Sequence, residues 1–170
     1  MIDKLHNLIN NIVPIVGLSY NYSNNTCEIH YENPDMTLTS EQESSINTLI
    51  SQWPLERAKF LKLEKLDNEW KQNVTNGWAT PYGWKLGLDT QDVTLLTGVF
   101  MLAKEAHSLG LNQPSYIVDT DGVSHEISLL DLTNLMLLYG QARSLLSQQY
   151  STKMNSIKQA LSIEELDSII

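Results

Sequence analysis

Ser115–Ile127, SYIVDTDGVSHEI, leads into an apolar-periodic run that opens at Ser128 and continues to about Ala160. This pairing decides how the chain is read. The first piece reads as a tight hairpin with Asp121-Gly122 at its turn, because Asp-Gly supplies the positive φ values that two-residue hairpin loops require. In the second piece Leu129, Leu132, Leu135, Met136, Tyr139, Ala142, Leu145 and Leu146 recur at three- and four-residue steps. Such spacing places them on one helical stripe. Ser128 and Asp131 give that helix a capped start. A small strand clip leading into a long exposed helix is a common form of structural adaptor.

Working outward, the preceding helix is expected from Asp89 or Thr90 to about Leu109, stopped by Gly110 in a left-handed conformation. Val93, Leu96, Phe100, Ala103, Ala106 and His107 form its inner face, and Asn112-Gln113-Pro114 separates it from the hairpin. Upstream, residues 76–89, NGWATPYGWKLGLD, read as an ordered loop rather than a slack linker. Trp78, Tyr82 and Trp84 can bury large ring areas there. Three readings fit the loop: packing against the helical core, a recognition surface for a partner protein, or a carbohydrate-binding aromatic patch.

Two helices are expected before that loop. Ser40 and Glu43 have the capping-box spacing, Ile46, Leu49 and Ile50 form a stripe, and Pro54 resets the chain. A second helix then carries Leu55, Leu63, Leu66, Trp70 and Val74 along one side. Its basic residues, Arg57, Lys59, Lys62 and Lys65, are interleaved with acids and read as a solvated face. The chain opens with a helix over 2–13, closed by Pro14 and Gly17, and a hairpin of Leu18–Tyr22 with Thr26–Tyr31. An isolated two-stranded ribbon is marginal in water, so this one must pack on something else. Ser162 with Glu165 starts a short last helix holding Leu166, Ile169 and Ile170.

The fold class is therefore α+β: mainly helical, with an N-terminal β-hairpin and a second short β-hairpin preceding a long C-terminal helix. Residues 1–53 form a hairpin and helix region suited to partner docking, and 54–170 form a helical domain. Apolar residues make up 42% of the 170, which opposes wholesale disorder. Charged residues make up 18%, below the usual ~25%, with Ser, Thr, Asn and Gln supplying much of the polarity.

Net charge is -9, and residues 1–53 carry one basic and six acidic side chains. That balance opposes nucleic-acid binding, since phosphates call for clustered Lys and Arg. Cys27 is the only cysteine, so neither an internal disulfide nor a Cys-rich metal site is possible. The Asp3-Lys4-His6-Asn7 start argues against a secretory leader. No apolar stretch is long enough to insert in a membrane.

No catalytic constellation is legible. Asp119-Thr120-Asp121-Gly122 looks like the start of a calcium loop, but the glutamate at its twelfth position is absent. The four histidines lack metal-binding spacing, and His125-Glu126 are strand neighbours that face opposite ways. No phosphate-binding glycine loop or nucleophile elbow occurs. No enzyme activity, cofactor or metal is expected.

Residues 55–170 resemble a phage-associated domain family of unknown function, found in tail-fibre and tail-assembly proteins. The resemblance is carried by the helix with Leu66 and Trp70, the GWAT and GWKLGL segments and LDTQDVTLLTGVFMLAKEA. It continues through YIVDTDGVSHEISLLDLTNLMLLYGQA to the tail KMNSIKQALSIEELDSI. Trp78, Gly83, Gly87, Asp121, Gly122 and Ser128 match as turns, packing points or caps.

The resemblance implies a virion protein of a tailed bacteriophage, made in the host cytoplasm and present in many copies. Its partners would be tail, baseplate or fibre proteins, and Trp78, Tyr82 and Trp84 are the candidate partner interface. An assembly chaperone absent from the finished particle and a glycan-binding tail-tip protein are the alternatives.

Overall fold

The computed structural model describes every residue except Asn112 and Ile170. The expected roles of those two, in the connector and in the last helix, lie outside the described residues. The element order is α1 (Ile2–Asn10), β1 (Ile15–Asn21), β2 (Thr26–Tyr31), α2 (Ser40–Asn76), β3 (Trp78–Ala79) and β4 (Lys85–Leu86). It continues with α3 (Thr90–Ser108), β5 (Ser115–Val118), β6 (Ser124–Ile127), α4 (Leu129–Gln159) and α5 (Ile163–Ser168). The fold is α+β and mainly helical, with β-hairpins before the long α4.

Two compact units form, one of Met1–Leu63 with Ser156–Ile170, the other of Glu64–Asn155. In the first unit β1 and β2 pair antiparallel, with a register irregularity between Ile15 and Gly17, and β1 starts three residues earlier than expected. The ribbon is stabilised by packing on helices: Leu5, Ile9, Val13, Ile15, Tyr20, Ile46 and Trp53 form one buried cluster.

The expected break at Pro54 does not occur, and α2 runs through it. An internal proline costs about 3 kcal/mol, but Trp53 beside it is only 2% exposed within that cluster. Burying an indole and its neighbours is a gain of the size needed to hold the helix together. The capping box of α2 also lies one residue earlier than expected. Gln42 N–H donates to Thr39 Oγ1 (3.2 Å), and Thr39 N–H donates to Gln42 Oε1 (2.9 Å).

The basic run on α2 is not a simple solvated face. The Arg57 guanidinium lies 4.2 Å from the centre of the Tyr22 ring. Lys59 Nζ donates to the Lys158 carbonyl at 3.1 Å, and Lys62 Nζ donates to that of Leu166. Those carbonyls belong to the last turns of α4 and α5, where unpaired acceptors and the negative dipole end favour a cation. Lys65 alone of the four fits the solvated reading, in an exposed ion pair with Glu69 at 3.8 Å.

In the second unit Leu86, Leu88, Leu96, Ile117, Ile127, Leu132, Leu135 and Tyr139 form the core. The stripe read on α4 supplies its centre, except that Leu145 is exposed rather than buried. On α3, His107 is likewise exposed and does not join the inner face. Of the two expected starts of α3, Asp89 is the cap, completed by Asp92, and the caps at Ser128 with Asp131 and Ser162 with Glu165 form as expected. Gly110 has φ 74° where α3 stops.

Candidate functional site

The loop over 76–89 carries a structure that its composition hid. β3 and β4 pair as a minimal antiparallel ribbon, Trp78 opposite Leu86 and Ala79 opposite Lys85. Thr80 closes it: its N–H and its hydroxyl both donate to the Trp84 carbonyl at 2.8 Å. The ribbon is tied on either side, by Leu88 N–H to the Val74 carbonyl (3.1 Å) and by Thr120 N–H to the Lys85 carbonyl (3.0 Å). Four backbone or hydroxyl bonds thus fix where Tyr82 and Trp84 stand.

The second hairpin differs from the two-residue Asp121-Gly122 turn expected of it. Val118 pairs with Ser124, and Asp119 N–H donates to the Val123 carbonyl at 2.9 Å. Gly122 N–H donates to the Asp119 carbonyl at 3.1 Å, which closes a turn, and Gly122 follows at φ 81°. This is a three-residue loop ending in a left-handed glycine. Asp119 organises it from within, because Oδ1 accepts from the N–H groups of Asp121 (2.9 Å) and Val123 (2.8 Å).

That register puts Asp119 and His125 on one face as diagonal neighbours. His125 Nε2 lies 2.8 Å from Asp119 Oδ2, and the Asp119 side chain is only 6% exposed. The His125 bond and the Val123 and Asp121 N–H groups hold the Asp119 carboxyl below its ordinary range. An ionised carboxylate can only accept, so Nε2 carries the proton and Nδ1 is the ring nitrogen left for another partner.

A stack of rings completes the arrangement. Trp84 and His125 are nearly parallel, with centres 4.6 Å apart and planes inclined by 8°. Tyr82 stacks on Trp84 at 6.0 Å and 19°. The Tyr82 hydroxyl is anchored in turn at Asp131, 3.3 Å from its carbonyl oxygen. Asp119, His125, Trp84 and Tyr82 therefore form one chain of contacts linking both small hairpins to the start of α4. They line an open cleft of about 830 Å³, lined also by Thr75 and Asn76 of α2.

Trp78 is placed elsewhere. It meets Tyr139 edge to face, with centres 6.2 Å apart and planes at 72°. It lines a separate groove of about 630 Å³ with Leu138, Leu145 and Leu146 of α4 and an amide rim that includes Gln141 and Gln149. Of the three aromatics singled out in the sequence, Tyr82 and Trp84 stand together and Trp78 faces another surface. The Asp119–His125 pair was not singled out.

Cys27 is half-buried in β2, and burial pushes its thiol pKa up. No three His, Cys, Asp or Glu side chains converge as a metal site among the described residues. No helix among them is long and apolar enough to cross a membrane. No family model, curated protein or solved structure matches the chain.

Proposed function

We propose that the chain is a structural protein of a tailed bacteriophage, an adaptor of the baseplate or tail-fibre attachment that acts through non-covalent contacts and not by catalysis. The class of assembly comes from the resemblance of residues 55–170 to the phage tail-associated family. The surface is the groove beside Trp78. Leu138 is 39% and Leu145 56% exposed there, on a helix whose opposite side is buried. An apolar centre with an amide rim is the composition of a protein interface, in which the rim satisfies hydrogen bonds and excludes water. Copies arrayed in a symmetric tail would gain avidity from each such contact, however weak it is singly.

Quantitative mass spectrometry of purified particles tests this reading. The chain is expected at a fixed copy number, and Leu145→Glu, an exposed change, is expected to fold normally yet be lost from particles. Absence of the unaltered chain from particles would replace the adaptor with an assembly chaperone.

A further inference from the structure

The geometry points to a second, independent site: the cleft beside Tyr82 and Trp84 binds a neutral carbohydrate. Three observations lead there. The first is the fixed aromatic platform. Tyr82 is 43% exposed, its hydroxyl is tethered to Asp131, and its ring is held parallel to Trp84, which in turn lies on His125. A sugar presents a face of C–H bonds, and an aromatic ring already immobilised binds such a face with little further loss of side-chain freedom.

The second observation is the polar lining. Thr75, Asn76, Thr120 and Asp121 line the same cleft as the rings. Hydroxyl, amide and carboxylate groups together supply the mixed donors and acceptors that a polyol needs. His125 adds Nδ1, because Asp119 already holds Nε2. Buried Asp119 acts as a positioning residue for the imidazole rather than as a contact to the ligand.

The third is charge. Lys85 is the one lysine or arginine among the described lining residues, set against Asp119 and Asp121. Phosphorylated or nucleic-acid ligands would meet net repulsion there. A purely apolar ligand would leave the polar groups without partners. An uncharged, hydroxyl-rich ligand meets neither objection. This site does not depend on the adaptor reading, since its residues lie apart from the Trp78 groove except for Asn76.

The experiment uses the full chain on an array of neutral and acidic glycans. The strongest neutral oligosaccharide is then titrated while the Trp84 indole N–H resonance is followed. Saturable binding to a neutral glycan is expected, with Tyr82→Ala weakening it by about tenfold, the factor that loss of one aromatic contact corresponds to. Tyr82→Phe, which keeps the ring, is expected to bind within about threefold of the unaltered chain.

Asp121→Ala guards against a folding artefact. Alanine is tolerated in that turn, so a drop in affinity at unchanged melting temperature reports a lost ligand contact. The proposal is overturned by an array without neutral hits, or by a preference for phosphorylated glycans. It is equally overturned by binding that neither Tyr82→Ala nor Asp121→Ala alters.

Discussion

Trp78 and Trp84 lie six residues apart at opposite ends of one small ribbon, yet they belong to different chemistries. Trp78 turns its edge to Tyr139, a core residue of α4, and faces leucines. Trp84 lays its face on His125, whose other side of the network is a buried carboxylate, and faces hydroxyls and amides. The difference arises from what backs each ring. Both indoles pack against the core of the second unit, but Trp78 borders an apolar groove beside Tyr139, whereas Trp84 also lies on His125 and borders a polar cleft. Composition alone treats the two as a single aromatic patch.

The sharpest way to break that contrast is truncation of each ring. Trp78→Ala removes a partly buried indole from the core of the second unit and is expected to lower stability by about 3 kcal/mol. Trp84→Ala also removes an indole packed on that core, but the ring borders an open cleft, and the loss should be smaller, about 2 kcal/mol, much of it from lost stacking. Urea unfolding of both variants measures the gap. Equal losses would mean that core packing, which both rings share, outweighs what else surrounds them, and the distinction between the two surfaces would fail.

A smaller effect probes the backing of Trp78. The Tyr139 hydroxyl donates to the Gly87 carbonyl at 2.8 Å in a buried setting. Burial, with the nearby Asp92 charge, pushes the Tyr139 pKa up to about 12. Tyr139→Phe leaves that carbonyl without its partner and is expected to cost about 1 kcal/mol. Gly87 has no room to change in compensation, because a Cβ there would collide with the Asp92 carboxylate of the α3 cap. Because the folded pKa is raised, Tyr139 stays protonated from its ordinary value of 10.0 up to about 12. The stability it contributes is complete below 10.0 and is lost as pH rises through the folded value. Absorbance titration of tyrosinate should therefore lose its latest-titrating ring in the variant.

The helices and caps were largely legible because their signals are local. Asp89 with Asp92, Ser128 with Asp131 and Ser162 with Glu165 each satisfy amides within three residues, and no distant contact is needed to predict them. Pro54 misled because the compensation is tertiary: Trp53 is buried against residues from α1 and β1. The Asp119–His125 pair was hidden by one residue of register. A two-residue turn at Asp121-Gly122 would place His125 opposite Val118 and send Asp119 to the other face. The observed pairing sets His125 opposite Ile117 and brings Asp119 alongside it. A shift of one residue reverses the face of every side chain in a strand. The Asx bonds from Asp119, which select the longer loop, were the missed signal.

The weakest perturbation tests the backing of Trp84, through charge alone. Asp119→Asn keeps an oxygen to accept from the Asp121 and Val123 amides but removes the negative charge facing His125. In the folded protein the Asp119 carboxyl lies below its ordinary value of 3.8, chiefly because His125 bonds to it. A folded pKa below the unfolded one means that the carboxylate stabilises the fold above 3.8, and that this stabilisation is lost as pH falls through the folded value. The urea midpoints of the unaltered chain and Asp119→Asn should therefore differ above about pH 5 and converge in acid. A gap that persists unchanged into acid would mean that Asp119 acts only as a turn former. The polar backing of Trp84 would then be a matter of shape, and the two tryptophans would differ in their surroundings without differing in their electrostatics.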